Sequence, residues 1–110
     1  MSKESVTLLQ GTLDLLILRT LRSGALHGHG ITKEILRTSD ELLRVEHGSL
    51  YPALHRLEKR GWLTSRWRET ESVRPMKFYS LTPLGRKQLT AEQTKWEQVA
   101  KAIRLVLRQA

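Results

Sequence analysis

The sequence predicts a mostly α-helical fold with one small β-hairpin. Two observations carry this. Apolar residues recur at helical spacing in three segments before Gly61, alternate with period two between Leu63 and Leu81, and return to helical spacing as far as Leu107. The 110 residues, 39% of them hydrophobic, suffice for one modest core in one small domain. The formal net charge of +8 favours a polyanionic partner, nucleic acid first and an acidic membrane surface second. There is no cysteine, so a disulfide framework and a thiolate metal site are excluded. The longest apolar run, Leu15 to Leu18, is far too short to span a bilayer. The start "MSKESVTLLQG" has no signal-peptide pattern, and the expected location is the cytoplasm.

The first helix is expected over about Thr7 to Leu21. Leu8, Leu9, Leu13, Leu15, Leu16, Ile17, Leu18 and Leu21 cover most of its wheel. A helix with one buried face needs only an apolar stripe, so this one predicts a cover on two sides, the second being another subunit. "SGALHGHG" then breaks the pattern with three glycines. A second helix follows from about Ile31 to Arg37, and "TSDELL" makes a turn.

"HGSLYPALHRLEKRGWL" forms the third helix. Leu50, Ala53, Leu54 and Leu57 share one face; Gly48, Pro52, His55, Arg56 and Lys59 share the other. Gly61 supplies the stop. Pro52 lies inside this helix, but close enough to its start to sacrifice little, since the first N–H groups have no intrahelical partner. Two readings of Tyr51 stand level: its hydroxyl meets phosphate, or its ring packs. Beyond Gly61, Leu63, Ser65 and Trp67 alternate with Thr64, Arg66 and Arg68, and "KFYSL" alternates likewise, across a polar segment containing Pro75. Leu63 and Trp67 are expected to point inward. Thr82 suits an N-cap and Pro83 the first turn of a last helix reaching about Leu107. Leu89, Trp96 and Ile103 recur every seven residues there, as do Val99 and Val106, which suggests helix pairing.

Three helices followed by a hairpin are the winged helix-turn-helix order. Its third helix fits the DNA major groove, and its hairpin, the wing, reaches the flanking backbone or minor groove. Residues 1–82 are assigned to that unit and 83–110 to a C-terminal dimerisation helix, together forming one compact body. Between Arg44 and Arg68 six Arg or Lys face two Glu. The wing's candidate DNA contacts are Arg66, Arg68, Arg74 and Lys77. Leu8, Leu15, Leu89, Trp96, Val99, Ile103 and Val106 are the candidate dimer contacts.

"GSLYPALHRLEKRGWL", the Trp-containing strand after it and "KFYSLTPLGR" resemble the PadR family of transcriptional regulators. The resemblance covers nearly the whole chain, and the single helix after the wing resembles the short subfamily. It implies a homodimeric DNA-binding regulator, usually a repressor, whose first and last helices contact the partner subunit. It also implies that Ser49, Tyr51, Pro52, His55, Arg56 and Lys59 face an inverted-repeat operator. The chain departs from the family in two places. Arg74 is followed by Pro75 where wing tips often carry two arginines, and Glu46 stands where Ser or Asn often caps the third helix. A tryptophan in the last helix of multidrug-binding members stacks on flat ligands. Trp96 therefore has two readings, dimer packing and a small aromatic or apolar effector, with packing preferred.

Other constellations are set aside. His27 and His29 lack matched Cys, Asp or Glu partners, so no metal is expected. Asp14 has no catalytic partner. No triad, phosphate loop or carboxylate pair appears, so neither an enzyme nor a cofactor is expected. The rival reading is a winged-helix module that uses the same face on protein. Steep salt dependence would mark DNA binding instead.

Overall fold

The computed structural model describes residues 10–71 and 74–109. Its elements run α1 (Gln10–Leu21), β1 (Leu26–His27), α2 (Gly28–Thr38), α3 (His47–Lys59), β2 (Leu63–Arg68), β3 (Met76–Leu81) and α4 (Pro83–Leu107). The expected first-helix residues Thr7, Leu8 and Leu9 lie outside the described residues.

The core forms where α1, α2 and α3 meet over the sheet. Leu13, Ile17, Leu18 and Leu21 of α1 interlock with Ile31 and Ile35 of α2, with Leu50, Ala53, Leu54 and Leu57 of α3, and with Leu63 and Tyr79 of the strands. The α3 members are the apolar face expected from its spacing. Leu15 and Leu16 are half-buried and also pack against this cluster, so the protomer itself covers part of both sides of α1.

The sheet has three strands in the order β1–β3–β2, all antiparallel, where a two-stranded hairpin was expected. The extra strand is only two residues long, too short to show a period. It exists because Leu26 and His27 pair with Tyr79 and Phe78, about fifty residues onward. His27 then caps α2. Its Nδ1 accepts the Gly30 N–H at 2.9 Å, so α2 begins at Gly28, three residues earlier than expected. Among the described residues no group of three or more His, Cys, Asp or Glu is placed to hold a metal ion.

α3 ends as expected. The Gly61 N–H donates to Glu58 O and the Trp62 N–H to Leu57 O, the paired bonds of a Schellman stop. Thr82 caps α4 by accepting the Gly85 N–H at 2.9 Å, while its hydroxyl lies 2.7 Å from Gly61 O. One side chain thereby ties the stop after α3 to the start of α4. Gly85 is required here: a Cβ would sit 2.1 Å from Trp62 O. Leu89, one turn on, is 3% exposed and belongs to the protomer's core. This corrects its place on the dimer seam. The first turns of α4 pack on α1 and β3, and the heptad spacing spans both that inner contact and the free part of the helix.

Candidate nucleic-acid interface

Pro52 is deeper in α3 than the sequence suggested. The helix begins at His47, and the Leu50 N–H already donates to Glu46 O at 3.0 Å. Pro52, two residues further, removes a bond that Gly48 O would accept, so the sacrifice is one helical bond. Gly48 and Pro52 are both exposed, so that carbonyl is not shut away from solvent. Glu46 occupies the N-cap with extended backbone and makes no side-chain cap bond, as its type predicts.

Ser49, Tyr51, Pro52, His55 and Lys59 are exposed along one side of α3. Both readings of Tyr51 survive in part. Its ring leans on Gly28, where a Cβ would lie 2.8 Å from the phenolic oxygen, and stacks 6.1 Å from the His47 ring. Yet half of the side chain faces solvent. Packing on α2 holds the ring, and the hydroxyl stays at the edge of the exposed face.

Arg56 is only partly exposed and is held by another element. Its Nη2 lies 2.6 Å from Asp14 Oδ1 on α1, with the side chains only 27% and 14% exposed. Its Nε is buried with no hydrogen-bond partner among the described residues. On the wheel Arg56 stands toward the α1 side of the exposed face, where its guanidinium reaches Asp14 while part of the side chain stays in solvent. The ion pair thus occupies the guanidinium that the sequence reading turned toward an operator. It also supplies the partner that Asp14 lacked in the sequence. Burial raises the Asp14 carboxyl above its ordinary value, and the hydrogen bond and charge of Arg56 only partly pull it back.

The wing is similarly sorted. Arg66, Arg68 and Arg74 are exposed. Arg68 lies over the Phe78 ring at 4.9 Å. Lys77 is drawn inward: its Nζ is 3.6 Å from Glu58 Oε1 and 5.5 Å from the Tyr79 ring. Ser65 Oγ donates to the other oxygen of Glu58. Glu58 thus anchors the wing to α3, and Lys77 spends its charge there. Leu63 is buried as expected, but Trp67 is 67% exposed. The alternation is kept; the core simply ends before the strand does.

Sequence reasoning missed a basic groove between α2 and the start of α3. It has a volume of about 660 Å³, and Lys33, Arg44, His29 and His47 line it beside Glu46. Charge was the only signal, and nothing local joins Lys33 to Arg44. On α4, Trp96 and Ile103 are about half exposed, like Val99, and Val106 is 70% exposed. Trp96 and Val99 border a shallow groove of about 270 Å³ with Gly11, Thr12 and Leu15 of α1 and Glu92 and Lys95 of α4. Leu8 lies outside the described residues. No helix among the described residues is long and apolar enough to cross a membrane.

The α2–α3 helix-turn-helix, the β2–β3 wing and the exposed face of α3 define a winged-helix DNA-binding fold. The chain belongs to the PadR-like family of transcriptional regulators, whose sequence profile matches residues 17–91. It is similar to the transcriptional regulator Rv3488 of Mycobacterium tuberculosis, 37% identical over 87 residues, covering 79% of this chain and 78% of that protein. Among solved structures it resembles a transcriptional regulator from Clostridium thermocellum, with TM-score 0.79, 34% identity, and coverage of 86% of this chain and 92% of that one. A PadR family regulator from Eggerthella lenta gives TM-score 0.78 and 30% identity, covering 92% of this chain and 86% of that one.

Proposed function

We propose that two copies of this cytoplasmic protein bind an inverted-repeat operator and repress transcription. The observation that carries the reading is the exposed side of α3, where Ser49, Tyr51, Pro52, His55 and Lys59 leave no apolar residue larger than proline and tyrosine uncovered. Beside it the cations of the α2–α3 groove, Lys33 and Arg44, offer phosphate contacts, and Arg66, Arg68 and Arg74 extend these along the wing. Arg56 and Lys77 are left out, since each already has a carboxylate partner.

The dimer is supported by the apolar stripe of Trp96, Val99, Ile103 and Val106, exposed in the single chain, and by Leu15 beside it. A two-fold dimer asks for a two-fold operator. The groove at Trp96 supports the reading that a flat aromatic or apolar effector binds there, beside the dimer stripe.

Selection of bound duplexes from a random library tests this reading. The expected product is an imperfect inverted repeat whose affinity falls steeply between about 50 and 200 mM salt. Recovery of no sequence, with no salt-dependent binding, overturns it in favour of a protein-binding module.

A further inference from the structure

Trp67 is the most exposed aromatic side chain among the described residues, and nothing in the protomer's core accounts for it. By strand alternation it shares a face with Leu63 and Ser65. That is the face turned toward α3, because Leu63 joins the core and Ser65 bonds Glu58 of α3. Directly opposite Trp67 on β3 stands Lys77, whose charge Glu58 already holds. The indole therefore projects on the α3 side of the wing over a locally neutralised spot. Arg66 and Arg68, its two neighbours, project from the other face and are exposed. Over the wing from Leu63 to Leu81 four cations stand against two carboxylates, Glu69 and Glu71.

A partner that fits must flank the wing, taking the aromatic ring on its α3 side and the cations on the other. A duplex does so where the wing enters a groove, because backbones of negatively charged phosphate and apolar deoxyribose border the groove on both sides. We infer that Trp67 is a DNA-contact residue, whose indole lies against deoxyribose at the edge of the groove occupied by α3. The inference rests on the operator-binding reading above. The contact is apolar, so it releases no counterions and adds affinity without adding to the salt dependence. It separates Trp67 from Arg66 and Arg68, whose phosphate contacts do set that dependence. It also accounts for a large ring held out in water at the wing.

The test measures full-length wild type, Trp67→Ala, Trp67→Phe and Arg66→Ala on duplexes selected by the wild type, across about 50 to 200 mM salt. Trp67→Ala is expected to bind about tenfold more weakly at every salt concentration, with the slope unchanged. Trp67→Phe should recover most of the loss, and Arg66→Ala should flatten the slope. Thermal unfolding checks that the alanine variant keeps wild-type stability, as an exposed position requires. Tryptophan fluorescence in a Trp62→Phe, Trp96→Phe background gives a second readout: duplex should perturb the remaining Trp67 signal. Wild-type affinity and unperturbed fluorescence would overturn the Trp67 contact alone and turn the ring toward a protein partner. A wild type that binds no duplex would overturn the operator reading, and the Trp67 contact with it.

Discussion

Replacing Arg56 by Met removes a charge from a tight place. The guanidinium donates to Asp14 Oδ1 at 2.6 Å, and the two side chains are 27% and 14% exposed. A surface pair of this kind contributes about 0–1 kcal/mol, whereas breaking a fully buried one costs about 3–5 kcal/mol. The pair stands between these limits, and Met refills the space of the stem while losing the already unbonded Nε. We expect a loss of about 2 kcal/mol, or roughly 8–16 °C in melting temperature for a domain of this size. Part of that loss is Asp14 left charged and alone. Burial holds the Asp14 carboxyl above its ordinary value. A carboxyl with a higher pKa in the fold than in the unfolded chain lowers stability as pH rises through that window. Without Arg56 the Asp14 value climbs further. The cost of Arg56→Met is therefore greatest at neutral pH and shrinks on acidification, as Asp14 takes up a proton. Asp14→Asn combined with Arg56→Met should cost less than the sum of the two single changes. The assay is thermal unfolding at fixed protein concentration, beside operator binding across salt. The reasoning fails if Arg56→Met melts with the wild type while its operator affinity drops and its salt slope flattens. That pattern would mean that Arg56 spends its charge on phosphate.

Val99→Glu with Ile103→Glu should yield a folded monomer at micromolar concentration. Both positions are exposed in the protomer, so sedimentation should show half the wild-type mass while far-ultraviolet dichroism stays helical. Gly85→Ala should lower stability by about 2 kcal/mol despite the better helix propensity of alanine, because its Cβ would lie 2.1 Å from Trp62 O; an unchanged melting curve would refute the fixed approach of α4. Planar aromatic ligands should bind at Trp96 saturably and change operator affinity, with reciprocal coupling. Trp96→Phe should lose that response while remaining dimeric; a mutant that instead falls apart assigns Trp96 to packing.

The sequence by itself determined what depends on neighbours along the chain. The Leu50–Leu57 face of α3, its stop at Gly61, the Thr82–Pro83 start of α4 and the alternation of the wing are all periodic or capping signals, written within a few residues of where they act. Periodicity states which way a side chain points from its own element. It does not state what stands there. The position of β1 beside β3, the capture of Lys77 by Glu58 and the absorption of Leu89 into the core depend on the packing of separate elements. Trp67 kept the inward alternation of Leu63 and still emerged into solvent, because the extent of the core is a property of the assembled layers and not of the strand. Arg56 shows the same limit at the recognition helix. The wheel could place it beside the operator face, but Asp14, 42 residues earlier, had to be brought within hydrogen-bonding distance by the docking of α1 on α3 before its partner was decided.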